Sequence, residues 1–380
     1  MGKQKAKRNE LSYHPPSGQY YKTCRRKRYY FGKDEAIAQQ RFELEWPFIS
    51  RGLPVPAEIA ATGVPVGQVM DLWVDARAND LVAGRIGATT FAQYKRVAQF
   101  QVSELGARRV AASLSPVDFA KLREAMPGVF GVSAVALKRT VTICRMPWKW
   151  AFDSGLIDKP MRYGPDFKAP SEADRRQQRF DRGRQVFTAD ELRTMLGQAS
   201  PMMRAAIMLG INGGYTQKEV AVLDRSVVDL DAALIDHLRA KTKQARTVPL
   251  MPETVAALLA YLGGRAKASA KGLLFVTAAG GPVRTERINA KGNLVTSDAL
   301  GDSFARLKGK AGIELDRAGF GKLRATFRTV ADAAGDANAA RRIMGHDLGQ
   351  GVESSYIREI DHARLKAVVE HVRSWLFEAA

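Results

Sequence analysis

The hydrophobic and polar positions of the chain follow three patterns, and the first lies at the N-terminus. The short runs LSYH, QYYKTC and RYYF are rich in aromatic residues, and the turn-forming stretches PPSG and RRK separate them. These runs predict a meander of three β-strands. DEAIAQQRFELEW follows with apolar residues at helical spacing, so we expect a helix over 34–46 that covers one face of the sheet. The segment RGLPVPAEIAATGVPVG, punctuated by Pro and Gly, then predicts a linker.

Residues 66–156 show helical periodicity alone, which predicts an all-α domain. We expect four helices, at 69–79, 89–105, 116–126 and 133–154. Pro147 lies inside the last of them and is expected to kink or interrupt it, because its ring removes one backbone donor and clashes with the preceding turn. The charged, proline-containing stretch 159–185 then predicts an exposed linker.

The third pattern mixes helical and strand-like segments. Thr188 begins TADE, a capping box ahead of LRTML, and the helical run MMRAAIMLGI follows. After a break at GG, the strand-like runs AALIDHLRA and ARTVPLM are joined at KTKQ and predict a β-hairpin. Four later segments have helical periodicity: TVAALLAYL, SDALGDSFARLKGKAG, FGKLRATFRTVADAAG and RLKAVVEHVRSWLF.

Together these patterns predict an α+β multidomain fold. We expect a small three-stranded sheet with a helix in residues 1–50, an all-α domain in 66–156, and a mainly helical domain with a small antiparallel sheet in 187–380. No apolar run reaches the roughly 18 residues that a membrane span requires. Because the lysine-rich start has no secretory pattern and the two cysteines lie in different regions, we expect a cytoplasmic protein without a disulfide framework.

The net charge adds a class of partner to this picture. With 59 Lys+Arg against 39 Asp+Glu, the chain carries +20, which favours a polyanion partner and nucleic acid over a membrane surface. Residues 1–33 hold ten basic side chains against the single acid Glu10, and they mix cations with aromatic rings. The candidate DNA contacts in this segment are Lys22, Arg25, Arg26, Lys27 and Arg28. A basic tail that only aids solubility accounts for this charge equally well.

Four polar residues of the third region are candidates for catalysis: Lys241, Arg324, His346 and Tyr356. Each alone has an ordinary structural explanation: a solvated charge at a turn, an ion pair flanking an apolar helix stripe, a loop histidine, and an anchor for the last helix. As a set, in this order and spacing, they are far more specific.

In order and spacing these four residues resemble the tyrosine recombinase family, the phage-integrase type of site-specific DNA recombinase. The lysine lies in RAKTKQARTVPL and the arginine in KLRATF; the histidine follows 22 residues later in MGH, and the tyrosine another ten residues on in SSYI. The resemblance covers residues 187–380. It implies cleavage of a DNA phosphodiester without a metal, which needs an oxygen nucleophile, cations over the nonbridging oxygens and an acid for the leaving 5′-oxygen. It further implies that Tyr356 attacks the phosphate to form a 3′-phosphotyrosyl bond, that Arg324 and His346 hold the nonbridging oxygens, and that Lys241 protonates the leaving oxygen.

The resemblance also implies how the remaining parts are used. It makes 1–50 an arm-type DNA-binding domain and 66–156 a core-binding domain, and it adds Lys243 and Arg246 of the hairpin as candidate DNA contacts. The implied partners are double-stranded DNA and further copies of the chain in a tetramer assembled on that DNA, with accessory proteins that bend DNA left open. It implies no metal or other cofactor and no membrane, and a place in the cytoplasm at the nucleoid.

Two positions depart from the family pattern. The run GYTQKEV keeps Glu219 but has Thr216 where the family has its first arginine, and Gly321 stands where the family has the histidine of His-x-x-Arg. Thr216 and Glu219 instead have the spacing of a second capping box.

These departures leave two functions open. In one, the chain is an active recombinase in which another cation replaces the arginine, with Lys218, Lys243, Arg246 and Lys322 as candidates. In the other, it is a catalytically impaired relative that acts as an architectural or regulatory DNA-binding protein. An RNA-binding or membrane-surface role has only the charge in its favour.

Overall fold

A computed structural model describes residues 11–55, 63–240, 242–269, 271–315, 319–347 and 360–378. The chain forms two compact units: Met1–Asp181 with Ile288–Leu294, and Arg182–Arg287 with Val295–Ala380. Two hydrophobic clusters form the core of the first unit and one large cluster forms the core of the second.

The first unit begins with the predicted three-stranded antiparallel sheet. Its strands are β1 Ser12–His14, β2 Gln19–Cys24 and β3 Lys27–Gly32, in the spatial order β1-β2-β3. Helix α1, Glu35–Arg51, covers one face of the sheet, where Phe31 packs on Phe42. The helix is longer than predicted because it continues through Pro47 and ends only at Gly52, whose φ of 77° lets the chain reverse.

A helical bundle follows in the same unit. Its helices are α2 Val66–Val82, α3 Ala88–Leu105, α4 Pro116–Phe130, α5 Ala134–Asp153 and α6 Glu172–Asp181. Helices α2–α5 confirm the four predicted ones. We expected Pro147 to kink or interrupt this helix, and the interruption does not occur: α5 continues through Pro147. Pro147 and Trp148 are buried and Trp148 Nε1 donates to Gln101 Oε1 at 2.8 Å, and this packing outweighs the cost of about 3 kcal/mol for proline inside a helix.

The stretch predicted as an exposed linker, 159–185, is partly structured. Phe167 is fully buried in the core of the helical bundle. Reciprocal hydrogen bonds between Ser171 and Asp174 then cap the start of α6. Phe180, near the end of α6, is exposed. The high charge of this stretch hid the aromatic side chain that attaches it to the bundle.

The second unit is mainly helical. Its helices are α7 Ala189–Gln198, α8 Pro201–Gly213, α9 Gln217–Ala221, α10 Pro252–Gly263, α11 Ala299–Lys310, α12 Gly321–Asp332, α13 Ala337–Ile343 and α14 His362–Phe377. Helix α8 runs through the centre of the core, and its side chains are almost all buried. The predicted capping box at the start of α7 is confirmed, since the backbone N–H of Glu191 donates to Thr188 Oγ1 at 3.2 Å.

Two small antiparallel sheets lie along this part of the chain. The first consists of β4 Val228–Asp229, β5 Leu234–Leu238 and β6 Ala245–Pro249, and the second of β7 Arg284–Ile288 and β8 Leu294–Asp298. The predicted hairpin is β5–β6, in which Ile235 lies opposite Val248. The hairpin β7–β8 was not predicted, because polar residues occupy most of its positions and leave little hydrophobic pattern. Within the described part of the chain, no helix is long and apolar enough to span a membrane.

Candidate active site

The carboxylate of Glu219 lies at the centre of the candidate site. Helix α8 ends at Gly213 with Gly214 as its C-cap, and after the buried Tyr215 the chain starts α9 with Thr216 as its N-cap. The backbone N–H of Thr216 donates to Glu219 Oε2 at 2.8 Å, and the N–H of Glu219 donates back to Thr216 Oγ1 at 3.3 Å. The predicted second capping box therefore exists, and it fixes the carboxylate at the start of the helix.

Three arginines from different elements surround this carboxylate. Arg239 Nε, just after β5, lies 2.5 Å from Glu219 Oε1. Arg246 Nη1, on β6, lies 3.4 Å from Oε2, and Arg324 Nη1, in the first turn of α12, lies 3.8 Å from the same oxygen. Burial alone would raise the pKa of Glu219, but the charge of Arg246, the Thr216 N–H and Arg239 outweigh it and lower that pKa to about 2.

The side chain of Arg246 is fully buried and belongs to the framework of the site. Side chains alternate along a strand, and Arg246 shares the inward face of β6 with Val248. Its guanidinium donates to the carbonyls of Ile343 at 3.0 Å and Gly213 at 2.8 Å and lies 3.4 Å from the centroid of the Tyr215 ring. A side chain with no exposed surface cannot contact DNA, so the structure does not favour the DNA-binding role expected for Arg246.

Arg324 and His346 meet directly. Arg324 donates to the carbonyl of Gly214 at 2.5 Å and to that of Met344 at 3.2 Å, and its Nη2 lies 2.5 Å from His346 Nε2. A guanidinium can only donate, so Nε2 accepts and the imidazole in this contact is neutral, with its proton on Nδ1. The structure therefore brings together Arg324 and His346, two of the four predicted catalytic residues.

The turn after α13 positions His346. Gly345 has a φ of 60°, a left-handed conformation that favours glycine, and it lets the backbone N–H of His346 donate to the carbonyl of Arg341 at 2.9 Å. Burial lowers the pKa of His346 to about 4, and the charges of Arg324 and its arginine neighbours add to this effect. Burial likewise lowers the pKa of Arg324 to about 10, with Glu219 opposing the shift. The pocket is short of negative charge.

Arg239 was not among the predicted site residues. It closes the β5–β6 hairpin: its backbone N–H donates to Gln244 at 2.9 Å, and its carbonyl accepts from the N–H of Lys243 at 2.8 Å. The residue is only 8% exposed, whereas its neighbour Leu238 is 65% exposed. The inward position of Arg239 could have been predicted from the alternation of side chains along a strand. Ile235 points inward, and the residues two and four positions later lie on the same face.

Two of the predicted catalytic residues, Lys241 and Tyr356, lie outside the described residues. Thr242, the residue after Lys241, donates from Oγ1 to the carbonyl of Gly345 at 3.0 Å. The loop that carries the candidate lysine is thus attached next to His346. Lys243 is exposed in the same loop.

The family model for the phage integrase family matches residues 185–362. These residues form a phage integrase domain. The match includes Glu219, the three surrounding arginines and His346, so the whole described site lies inside the integrase domain. No curated protein matches the chain by sequence.

Solved integrase structures have the same fold. A lambda integrase dimer bound to a COC′ core site is 17% identical over 95% of this chain and 99% of that chain, with a TM-score of 0.55. A lambda integrase tetramer bound to a Holliday junction is 16% identical over 94% of this chain and 97% of that one, at a TM-score of 0.54. The Tn1549 transposon integrase with transposon right end DNA is 16% identical over 81% and 99%, at 0.51. At these identities the likeness concerns the fold, and it confirms the predicted α+β multidomain class.

Two positions of the integrase domain lack the residues expected there. Thr216 is engaged in the cap with Glu219, its Oγ1 lying 2.9 Å from Oε2. Gly321 is the exposed first residue of α12, and a Cβ built there would meet none of the described atoms within 4 Å. Nothing in the packing around Gly321 therefore opposes a larger side chain. Within the described residues, no three His, Cys, Asp or Glu side chains are grouped so that they could hold a metal.

The candidate DNA contacts outside the integrase domain lie at the β2–β3 hairpin. Arg25 and Arg26 form its turn with φ values of 48° and 67°, and Arg25 Nη2 donates to the carbonyl of Arg51 at 3.2 Å. Lys27 is exposed, and Arg28 lies 5.1 Å from the centroid of the Tyr21 ring. Lys22 is half-buried and lies 5.7 Å from the ring of Phe42.

The exposed face of this small sheet combines cations with aromatic rings. The rings of Tyr21 and Tyr30 lie 5.7 Å apart, and His14 lies within 5.9 Å of both. Tyr30 is 38% exposed, whereas its neighbour Phe31 is fully buried on the other face of the sheet. The contact of these residues with DNA stays a prediction.

Proposed function

We propose that the chain is a site-specific DNA recombinase that cleaves and rejoins DNA through a covalent bond to Tyr356. One observation carries this proposal: Arg324 and His346 lie in contact beside a carboxylate that three arginines surround, inside a phage integrase domain. Such a group of donors suits the nonbridging oxygens of a phosphodiester.

The proposed reaction balances without a cofactor. The phenol of Tyr356 loses its proton to solvent as its oxygen attacks phosphorus, a bond from phosphorus to that oxygen forms, and the bond from phosphorus to the 5′-oxygen breaks. Lys241 supplies the proton that the leaving 5′-oxygen takes. Rejoining is the reverse, in which a 5′-hydroxyl attacks the 3′-phosphotyrosyl bond and the phenol leaves. Because a phenolate leaves more readily than an alkoxide, the covalent intermediate keeps the reaction reversible.

The charge of the described site favours this chemistry. Three guanidinium charges against one carboxylate leave a net charge of +2 around Glu219. Attack on a phosphodiester changes the charge of the phosphoryl group from −1 towards −2. A positively charged site therefore stabilises the transition state more than the bound substrate. The neutral imidazole of His346 keeps a proton on Nδ1 that can be donated to a nonbridging oxygen.

We propose that the whole chain binds double-stranded DNA and acts as a tetramer on it. Related structures hold DNA as a dimer at a core site and as a tetramer at a Holliday junction. The β2–β3 hairpin would serve as the arm-type contact and the bundle α2–α5 as the core-binding domain, with Lys243 as a further contact. Accessory proteins that bend DNA remain compatible with this assembly, and the place of action would be the nucleoid.

A second function has specific support from Thr216 and Gly321. A relative that has lost catalytic residues could keep the DNA-binding surfaces and act as an architectural or regulatory protein. Loss of one guanidinium from a phosphoryl-transfer site costs about 10³- to 10⁵-fold in rate, by analogy with arginine fingers. The two functions therefore differ in whether a covalent intermediate forms at all.

Covalent capture separates the two functions. The full chain is incubated with short duplexes of randomised sequence that carry a nick in one strand, so that a cleaved fragment with a 5′-hydroxyl diffuses away and traps the protein on DNA. Adducts that survive denaturation are isolated and sequenced. We expect adducts from the wild type and none from Tyr356→Phe. If the wild type binds the duplexes and leaves no adduct, the recombinase proposal is wrong and the DNA-binding function takes its place.

A further inference from the structure

The site contains a guanidinium at a place where the sequence pattern offers none. The family arginine is missing at Thr216, whose side chain caps α9 together with Glu219. Arg239 approaches the same carboxylate from the β5–β6 hairpin, with Nε 2.5 Å from Glu219 Oε1. Thr216 contacts Oε2 of this carboxylate and Arg239 contacts Oε1, so the guanidinium of Arg239 lies near the position of the missing arginine.

Three of the four other cations considered for this place have partners elsewhere, and the fourth lies on the surface. Arg246 is fully buried against Tyr215. Lys218 Nζ pairs with Glu286 at 2.8 Å on the surface, and Lys322 donates to Gln185 Oε1. Lys243 is exposed on the loop of the hairpin.

Arg239 has donors left over for a ligand. Its Nε is used by Glu219, while within the described residues neither Nη1 nor Nη2 has a hydrogen-bond partner. Arg239 and Arg324 flank one carboxylate, because Arg324 Nη1 lies 3.8 Å from Glu219 Oε2. Arg239 also packs against Gly345, the residue before His346, where an added Cβ would lie 2.8 Å from Arg239 Cδ. These two unused NH2 groups, which carry four N–H bonds, are the donor set for a second nonbridging oxygen.

We propose that Arg239 is the second phosphate-binding guanidinium of this enzyme and replaces the arginine missing at position 216. Arg239 and Arg324 would hold the two nonbridging oxygens of the scissile phosphate, with Glu219 orienting both guanidiniums and Arg246 supporting the carboxylate from below. This assignment rests on the proposed recombinase function. It places the compensating charge on the hairpin that also carries Lys241.

The test uses the DNA sequence that wild-type covalent capture selects. Arg239→Ala should slow adduct formation about 10³-fold or more, and Arg239→Lys should recover only part of the loss, because a single ammonium cannot replace a planar pair of donors. The control is Arg225→Ala, a half-buried arginine of the same unit that donates to the carbonyl of Val228 at 2.6 Å and does not contact Glu219. Its adduct rate should stay within about threefold of wild type.

A modified substrate separates phosphate binding from a structural role. In a methylphosphonate duplex one nonbridging oxygen of the scissile phosphate is replaced by a methyl group, so the negative charge that Arg239 would neutralise is gone. On this duplex Arg239→Ala should form adduct within about tenfold of wild type. A variant equally slow on both duplexes would make Arg239 a structural residue and overturn the assignment.

The outcomes keep the two proposals apart. If the wild type forms adduct and Arg239→Ala matches it within about threefold on ordinary DNA, the assignment of Arg239 is wrong while the recombinase function stands. If the wild type forms no adduct on any duplex of the randomised pool, the recombinase function itself fails, and this assignment fails with it.

Discussion

Arg324 donates a hydrogen bond to Nε2 of His346, although 22 residues separate them in the sequence. The contact exists because α12 begins beside the end of α8 while the left-handed turn at Gly345 reverses the chain after α13. Each residue alone has an ordinary structural explanation. Their contact beside Glu219 shows that residues distant in the sequence motif form one site.

The charge state of His346 should couple stability to pH. Its pKa is lowered to about 4 by burial and the charges of Arg324, Arg239 and Arg246, from an ordinary value of 6.5. As pH falls through this window the unfolded chain gains a proton that the folded chain refuses, so the folded state loses stability. In urea unfolding at about pH 7.5 and about pH 5, wild type should lose more stability than His346→Gln. An equal loss in both proteins would show that His346 is not held neutral.

Neutralising Glu219 should cost far more stability than neutralising a surface carboxylate. Glu219→Gln leaves Arg239 and Arg246 without their counter-charge in a buried setting, and breaking a buried ion pair costs about 3–5 kcal/mol. Urea unfolding measures this loss. Glu370→Gln is the control, since Glu370 pairs with Arg373 at 2.9 Å on the surface and should cost less than about 1 kcal/mol. Similar losses in the two variants would mean that Glu219 does not organise the cluster.

Gly345 should tolerate no side chain. An added Cβ would lie 2.8 Å from Arg239 Cδ and 3.3 Å from Arg246 Cβ, and the φ of 60° alone disfavours alanine by about 1–2 kcal/mol. We expect Gly345→Ala to lower stability by more than this conformational cost and to reduce covalent capture. The control is Gly335→Ala, at a φ of 77° with open space around its Cβ among the described atoms. If both variants lose the same stability, the close approach to Arg239 has no energetic consequence.

The β2–β3 hairpin should contribute to DNA affinity by binding phosphates. A variant with Arg26, Lys27 and Arg28 changed to alanine should bind duplex DNA more weakly than wild type. The slope of log affinity against log salt should also become shallower, by about 0.9 for each phosphate that the variant no longer neutralises. A titration of the full chain from low to high salt measures the slope.

A matched variant separates this phosphate binding from a general effect of charge. It removes three cations of α11: Arg306, Lys308 and Lys310. If both variants reduce the slope equally, the N-terminal cations act only through net charge, as a solubilising segment would.

Much of the fold could be predicted because its helices bury one apolar stripe. The final helix is an example: Leu365, Val368, Val372 and Leu376 are all buried, at the spacing that predicted the helix. The pattern failed where packing came from few or distant residues. Phe167 attaches a charged stretch to the bundle, and the mostly polar β7–β8 pair is held by its hydrogen bonds.

The kind of site could be predicted from the sequence, but not every residue that forms it. Arg324 and His346 were predicted from their order and their spacing of 22 residues, which resemble the tyrosine recombinase motif. Arg239 was missed and Arg246 was assigned to DNA because sequence treats every arginine of a hairpin as solvated. Which of them faces the core depends on the phase of the strand, and the phase is fixed by the inward positions of Ile235 and Val248.

Mass spectrometry of the trapped complex shows whether Tyr356 is the nucleophile. Wild-type protein captured on a nicked duplex is digested with nuclease and protease, and the peptide that contains residue 356 is examined for a nucleotide attached through phosphate. We predict that this peptide carries the nucleotide on the phenol oxygen of Tyr356. A nucleotide found on a different residue, or unmodified peptide alone from protein shown to bind the duplex, would rule out the proposed role of Tyr356.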